Sequence, residues 1–216
     1  MMFYWIKTPG IVKWLFHNQT WSIPNIHNKI YLTFDDGPTP GVTEWVLDLL
    51  KKENIKATFF CIGKNIELYP NLFQKIQQHG HNIGNHTFNH QNGWKTKTSD
   101  YLQNIEQCKE AIETFENTKT TTKLFRPPYG KITTKQSGKL RKLGYKIIMW
   151  DVLTADFDTT ITPEKCLENA IQKVEPGSII VFHDSIKARN NLEYALPKAI
   201  RFLKEKGYVF ELIGSD

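Results

Sequence analysis

The sequence predicts an α/β fold, a distorted (β/α) barrel of about seven parallel strands with helices outside. Three observations predict it. Short apolar runs alternate with amphipathic stretches about seven times along 216 residues. The runs are apolar at successive rather than alternate positions, as in strands covered on both faces. No run is followed by the glycine-rich G-x-G-x-x-G or G-x-x-x-x-G-K-[ST] that would mark an open nucleotide-binding sheet. The length suits one domain of the α/β-barrel kind.

The elements follow in order. Ile30, Tyr31, Leu32, Thr33 and Phe34 make a buried strand that ends at Asp35 and is stopped by Gly37-Pro38. Val42, Val46, Leu49 and Leu50 recur at helical spacing, which predicts a helix over 41–53. A strand over 57–62 closes at Gly63, and a helix over 70–78 stops at Gly80 as its C-cap. A short strand over 81–86 runs into a polar loop, and Ser99 caps the longest helix, 99–116. Strand 123–126 precedes Pro127-Pro128, helix 133–143 follows, and strand 145–150 comes next. Thr162-Pro163-Glu164 opens another helix with a cap and a first-turn proline. Strand 178–182, a helix over 192–203 despite Pro197, and strand 208–212 complete the series.

Residues 1–29 read as an N-terminal extension to a domain spanning 30–216. Up to Phe16 the extension is apolar and aromatic, but Lys7, Pro9, Gly10 and Lys13 interrupt it. No run therefore approaches the roughly 18 apolar residues of a membrane-spanning helix, and no cleavable signal pattern is visible. The extension is expected to pack on the domain. The alternative is contact with a membrane surface through residues 1–20, anchored by Phe3, Tyr4, Trp5, Trp14, Leu15 and Phe16.

Lys and Arg outnumber Asp and Glu by 28 to 22, a net charge of +6 that favours anionic surroundings. The basic residues are dispersed and no groove-reading motif accompanies them, so a nucleic-acid partner is not expected. Cys61, Cys108 and Cys166 are odd in number and widely spaced within apolar or helical patterns, which predicts reduced thiols rather than disulfides. Trp45, Trp94 and Trp150 are assigned to core packing, with Trp94, in a polar loop, also able to stack on a sugar.

Polar exceptions gather at the strand ends, where a barrel places its chemistry. They are Asp35-Asp36, His86 and His90, Arg126, the stretch from Asp151 to Asp156, and His183-Asp184. Asp35 and Asp36 alone read as turn residues. His86 and His90, at i and i+4, would share one side of a helical turn and converge on an ion. Asp35 or Asp36 would complete a His, His, Asp set, leaving its neighbour free to act as a base.

The assembled pattern resembles the polysaccharide deacetylase family, the NodB-homology domain of carbohydrate esterase family 4, over residues 30–212. Thr33-Phe34-Asp35-Asp36-Gly37 looks like its first motif, which implies Asp35 as general base and Asp36 as metal ligand. His86-Thr87-Phe88-Asn89-His90 matches its H-[S/T]-x-x-H motif and implies two histidine ligands, with Thr87 steadying the loop. Arg126-Pro127-Pro128-Tyr129-Gly130 is similar to the third motif. It implies that Arg126 pairs with Asp35, that Tyr129 offers its backbone N–H to an oxyanion, and that Pro128 and Tyr129 border the substrate. Val181-Phe182-His183 resembles the motif whose histidine is the general acid. The fourth motif departs: Asp156-Phe157 stands where the family has Asp-x-x-Asp-Trp at other spacing. The tuning of His183 is carried to Asp156 and the sugar wall to Phe157.

The resemblance implies a metal-dependent hydrolase that removes N-acetyl groups from a glycan containing N-acetylglucosamine, peptidoglycan or chitin-type. The cofactor is a divalent metal, zinc being favoured by two imidazole ligands. A monomer is expected, cytoplasmic or at the membrane surface, with a cell-envelope role. The rival readings are a metal-dependent amide hydrolase with a non-glycan substrate and a glycan-binding module without catalysis.

Overall fold

The computed structural model describes residues 4–115 and 123–214. In chain order the elements are α1 (Gly10–Leu15), β1 (Lys29–Asp35), α2 (Thr43–Lys52), β2 (Thr58–Cys61), α3 (Gly63–Leu68), α4 (Pro70–Gln78), β3 (Asn82–Asn85) and α5 (Thr98–Phe115). Then follow β4 (Leu124–Phe125), α6 (Thr134–Lys142), β5 (Lys146–Ile147), β6 (Val152–Leu153), α7 (Pro163–Ile171), β7 (Ile179–His183), α8 (Arg189–Glu205) and β8 (Val209–Phe210). Short 3-10 turns lie at Gly93–Lys95 and Pro128–Gly130.

All the strand pairs are parallel, in the order β5-β4-β3-β2-β1-β7-β6, with β8 added beside the start of β1. The sheet curls into an open barrel with helices around it. From Ile30 to Asp35 every residue of β1 is buried, as a strand covered on both faces requires. Phe34 stacks between Phe59 of β2 and Phe182 of β7. Each fully buried side chain of this size contributes about 1.5–3 kcal/mol.

The two ends of the strand path, β5 and β6, follow each other in sequence but do not pair, and the N-terminal segment lies across that seam. Thr20 N donates to Ile147 O at 2.8 Å and Met149 N to Thr20 O at 2.7 Å. On the other edge Thr8 N donates to Asp151 O and Leu153 N to Ile6 O. Beneath these bonds the buried Asp151 carboxylate meets Lys7 Nζ at 2.7 Å and Lys13 Nζ at 2.5 Å, and accepts a hydrogen bond from Ser178 Oγ. The lysines that interrupt the apolar run are its anchors. Trp14, Leu15 and Phe16 are exposed, while Phe3 lies outside the described residues. No helix among the described residues is long and apolar enough to cross a membrane.

Several expectations need correction. The strand expected over 145–150 is two residues long, and a separate strand, β6, follows it. Helix α3 was not expected, because Lys64, Asn65 and Glu67 hide its pattern and only Gly63 and Ile66 are buried. Ser99 sits inside the first turn of α5 instead of capping it, and position 116 lies outside the described residues. The three cysteines are buried and free. Trp94 is exposed and so is not a core residue, while Trp45 and Trp150 are part-buried and pack against the buried clusters.

Candidate active site

Asp35 closes β1 and is buried against Arg126, which follows β4 and is wholly enclosed. Arg126 Nη1 donates to Asp35 Oδ1 and to Thr33 Oγ1, both at 2.7 Å. Its Nη2 donates to Met149 O at 2.9 Å and its Nε to Ile148 O at 3.2 Å. The guanidinium carbon lies 4.1 Å from the centre of the Phe60 ring. A buried ion is tolerable only when paired and hydrogen-bonded, and each of the three guanidinium nitrogens here has an acceptor.

Asp36 leaves the strand with φ +84, a left-handed conformation. Asn65 Nδ2, from α3, donates to its carbonyl at 2.8 Å. Its side chain turns toward two imidazoles, with Oδ1 3.2 Å from His90 Nε2 and 3.7 Å from His86 Nε2. Burial opposes its charge, yet the rings of His90, His183 and His86 hold the carboxyl well below the usual carboxylate range.

The histidines are not on a helical turn, contrary to expectation. Thr87 and His90 both have positive φ, +63 and +54, so residues 86–90 form an irregular loop. Thr87 Oγ1 accepts from Gln91 N at 3.0 Å, and Asn85 Oδ1 accepts from Thr87 N at 2.9 Å. Each ring is oriented through Nδ1. That of His86 lies 2.8 Å from Arg126 O, which can only accept, so Nδ1 carries the proton and Nε2 offers a lone pair. That of His90 lies 3.1 Å from Tyr129 Oη. Burial pushes the His86 pKa down to about 4, which keeps it in the neutral, ligating form.

The ligand atoms of Asp36, His86 and His90 all lie within 4.8 Å of one another. Asp36 Oδ1 is buried and makes no hydrogen bond. An orphaned carboxylate oxygen facing two imidazole nitrogens, each oriented from behind, is a donor set that fits a divalent cation.

His183 ends β7, with Nδ1 2.7 Å from Asp156 Oδ1 and its backbone N donating to Asp156 Oδ2 at 2.7 Å. Burial alone would lower the imidazolium pKa, but the Asp156 carboxylate outweighs it, with Asp36 and Asp35 adding to the effect, and raises it to about 9. The altered spacing of the fourth motif therefore still brings an aspartate against this histidine. Phe157 packs edge-on to His183, centroids 5.0 Å apart. Tyr129 is 60 % exposed at φ +59, beside His90, while Pro128 is buried beneath that turn.

One residue, Asn104, escaped the sequence reading, and another, Asp184, was placed at a strand end there without a role. Asn104, on the buried face of α5, accepts from Phe88 N and Asn89 N at 2.9 and 3.0 Å and so fixes the histidine loop. Asp184 accepts from Gly37 N at 3.0 Å and from Thr43 Oγ1 at 2.5 Å. Burial, reinforced by the Asp36 charge, raises its pKa to about 8. The one available signal was an asparagine between Tyr101, Ile105 and Cys108 on an otherwise apolar face.

The profile of the polysaccharide deacetylase family matches residues 22–148. The chain is 35% identical over 188 residues to a peptidoglycan-N-acetylglucosamine deacetylase of Bacillus cereus, covering 87% of this chain and 67% of that protein. It is 36% identical over 188 residues to the peptidoglycan-N-acetylmuramic acid deacetylase PdaA of Bacillus subtilis, covering 85% and 69%. The crystal structure of the Bc1960 peptidoglycan N-acetylglucosamine deacetylase, in complex with a naphthalenyl N-hydroxybenzamide, superposes with a TM-score of 0.88 at 33% identity over 96% of both chains. A profile spanning more than half of the sequence and a barrel shared almost end to end lead to one conclusion: the chain belongs to the polysaccharide deacetylase family.

Proposed function

We propose that this polysaccharide deacetylase removes N-acetyl groups from N-acetylglucosamine units of peptidoglycan or a chitin-type glycan, releasing acetate, with zinc held by Asp36, His86 and His90. The observation that carries the reading is the convergence of three pairings at the strand ends: Arg126 with Asp35, the histidines with Asp36, and Asp156 with His183. Residues 30–216 act as the catalytic domain, and residues 1–29 as an extension laid on it. The protein works as a monomer at the cell envelope.

The cation, when bound, supplies Lewis-acid activation of the acetamide carbonyl and of water. Arg126 engages one oxygen of Asp35 and fixes the carboxylate, and the other oxygen takes a proton from the attacking water. The Tyr129 N–H donates to the oxyanion, a contact worth about 3–4 kcal/mol in other enzymes. His183, held protonated by Asp156, donates a proton from Nε2 to the departing nitrogen, which would otherwise leave as a strongly basic anion. Phe157 walls the sugar beside His183, and Pro128 supports the turn that presents Tyr129.

Acetate release from N-acetylglucosamine oligomers tests the assignment. Asp35→Asn is expected to lower the rate by about 10²–10⁴-fold with metal content retained. Asp36→Ala and His86→Ala should lose both metal and activity. Wild-type rates in Asp36→Ala would show the ligand set to be wrong, and an active Asp35→Asn would remove the base.

A further inference from the structure

The geometry points to a second sugar-binding surface, built largely by the N-terminal segment, that receives neighbouring units of the glycan beside the catalytic residues. It rests on the glycan-deacetylase reading. A cavity of about 380 Å³ lies between the N-terminal segment and the loops that follow β4 and β5, inside the roughly 300–1,000 Å³ range of small-molecule sites. Tyr4, Trp5, Trp94, Tyr129 and Trp150 line it, together with the buried Trp21.

Asp36, His86 and His90 are outside the lining, but aromatic contacts join the cavity to the site from two sides. Tyr129, on one wall, packs edge-on to His90 with centroids 4.6 Å apart. Tyr4, on another, packs edge-on to Phe157 at 5.8 Å, and Phe157 packs on His183. A sugar in the cavity is therefore adjacent to the unit whose acetamide reaches Asp36, His86 and His90.

The lining has the chemistry of a carbohydrate site. Pyranose rings present C–H faces that lie on aromatic plates, with hydroxyls at the rim for polar partners. Trp94 is such a plate: it is 62 % exposed, yet its Nε1 donates to Ile132 O at 3.1 Å and Lys131 Nζ lies 3.9 Å from its ring centre. A ring already fixed loses little freedom on binding. Tyr4 is fixed as well, its hydroxyl donating to Asp158 Oδ2 at 2.7 Å. Gly130 closes the wall, since a Cβ there would lie 2.8 Å from the Trp150 ring. A membrane-facing surface would instead use Ile11, Trp14 and Leu15 of α1, which are exposed and outside this lining.

Calorimetric titration of the zinc-loaded protein with the dimer and the hexamer of N-acetylglucosamine tests the proposal. The hexamer is expected to bind about tenfold tighter than the dimer. Trp94→Ala and Trp5→Ala should shrink that ratio toward one, and Trp94→Phe should restore most of it. Equal affinity for the two lengths in the wild type, or a ratio unmoved in both alanine variants, would overturn the proposal. So would loss of binding to phosphatidylglycerol vesicles in both variants with the hexamer-to-dimer ratio intact, since the surface would then face a membrane. The readout is binding, so absence of acetate release would sink the catalytic reading separately.

Discussion

The acid role proposed for His183 is available at neutral pH only because of Asp156. Its pKa, about 6.5 for an ordinary histidine, is raised to about 9. The proton is therefore held through neutrality and lost as pH rises through about 9, so activity should fall above that pH. In Asp156→Asn the negative partner is gone and the alkaline limb should move down toward the ordinary histidine range. Rates at pH 8 should then drop more than rates at pH 6. A pH–rate profile of both proteins measures this, and a limb that stayed in place would remove His183 from its role. The same residue scale shows what a sequence can reveal. Asp35, Asp36, His86, His90 and Arg126, which the structure brings together, were legible because the proton transfer and metal ligation proposed for them demand particular side chains. Asn104 was not, because it acts on backbone N–H groups, and backbone leaves no trace in residue identity.

Among the elements, the strands buried on both faces were legible from their continuous apolar runs, and the helices from their periodicity. The failures share a cause, which is dependence on distant partners. β5 and β6 are two residues each, and what completes them is a segment more than a hundred positions earlier. α3 buries little, and its value lies in what its first N–H groups reach: Gly63 N donates to Thr87 O and Lys64 N to Phe88 O, both at 3.0 Å. With Asn65 on the Asp36 carbonyl, this short helix ties the aspartate loop to the histidine loop. The anchoring of the extension is directly testable. Lys7→Ala with Lys13→Ala leaves the buried Asp151 carboxylate without a cation, a change that typically costs about 3–5 kcal/mol. The double variant should show a clearly lower melting temperature, whereas Lys165→Ala, which breaks the exposed Lys165–Glu168 pair, should change little. Equal melting temperatures for the double variant and the wild type would mean that the seam is not held by charge.

For the whole molecule, strain and stability sit at opposite places. Seven non-glycine residues have positive φ among those described, and five of them, Asp36, Thr87, His90, Tyr129 and Ala155, lie in the loops beyond the strand ends. Each costs on the order of 1–3 kcal/mol, sustained by the apolar core beneath. A cation that binds these loops only when folded adds stability by mass action, about 2.7 kcal/mol at a hundredfold excess over its dissociation constant. For a protein of this length that corresponds to a melting-temperature rise of roughly 5–10 °C. Zinc should produce this rise in the wild type, a chelator should reverse it, and Asp36→Ala should show neither. A rise of the same size in Asp36→Ala would place the ion elsewhere.

The N-terminal segment across the seam also sets an order of events during synthesis. Lys7 leaves the ribosome 144 residues ahead of Asp151. For that interval the segment, with Trp21 uncovered, has no docking partner, and its long-range contacts are slow to form. The segment can be fastened only after residues 147–153 have been made, and until then the barrel lacks the strap across this seam.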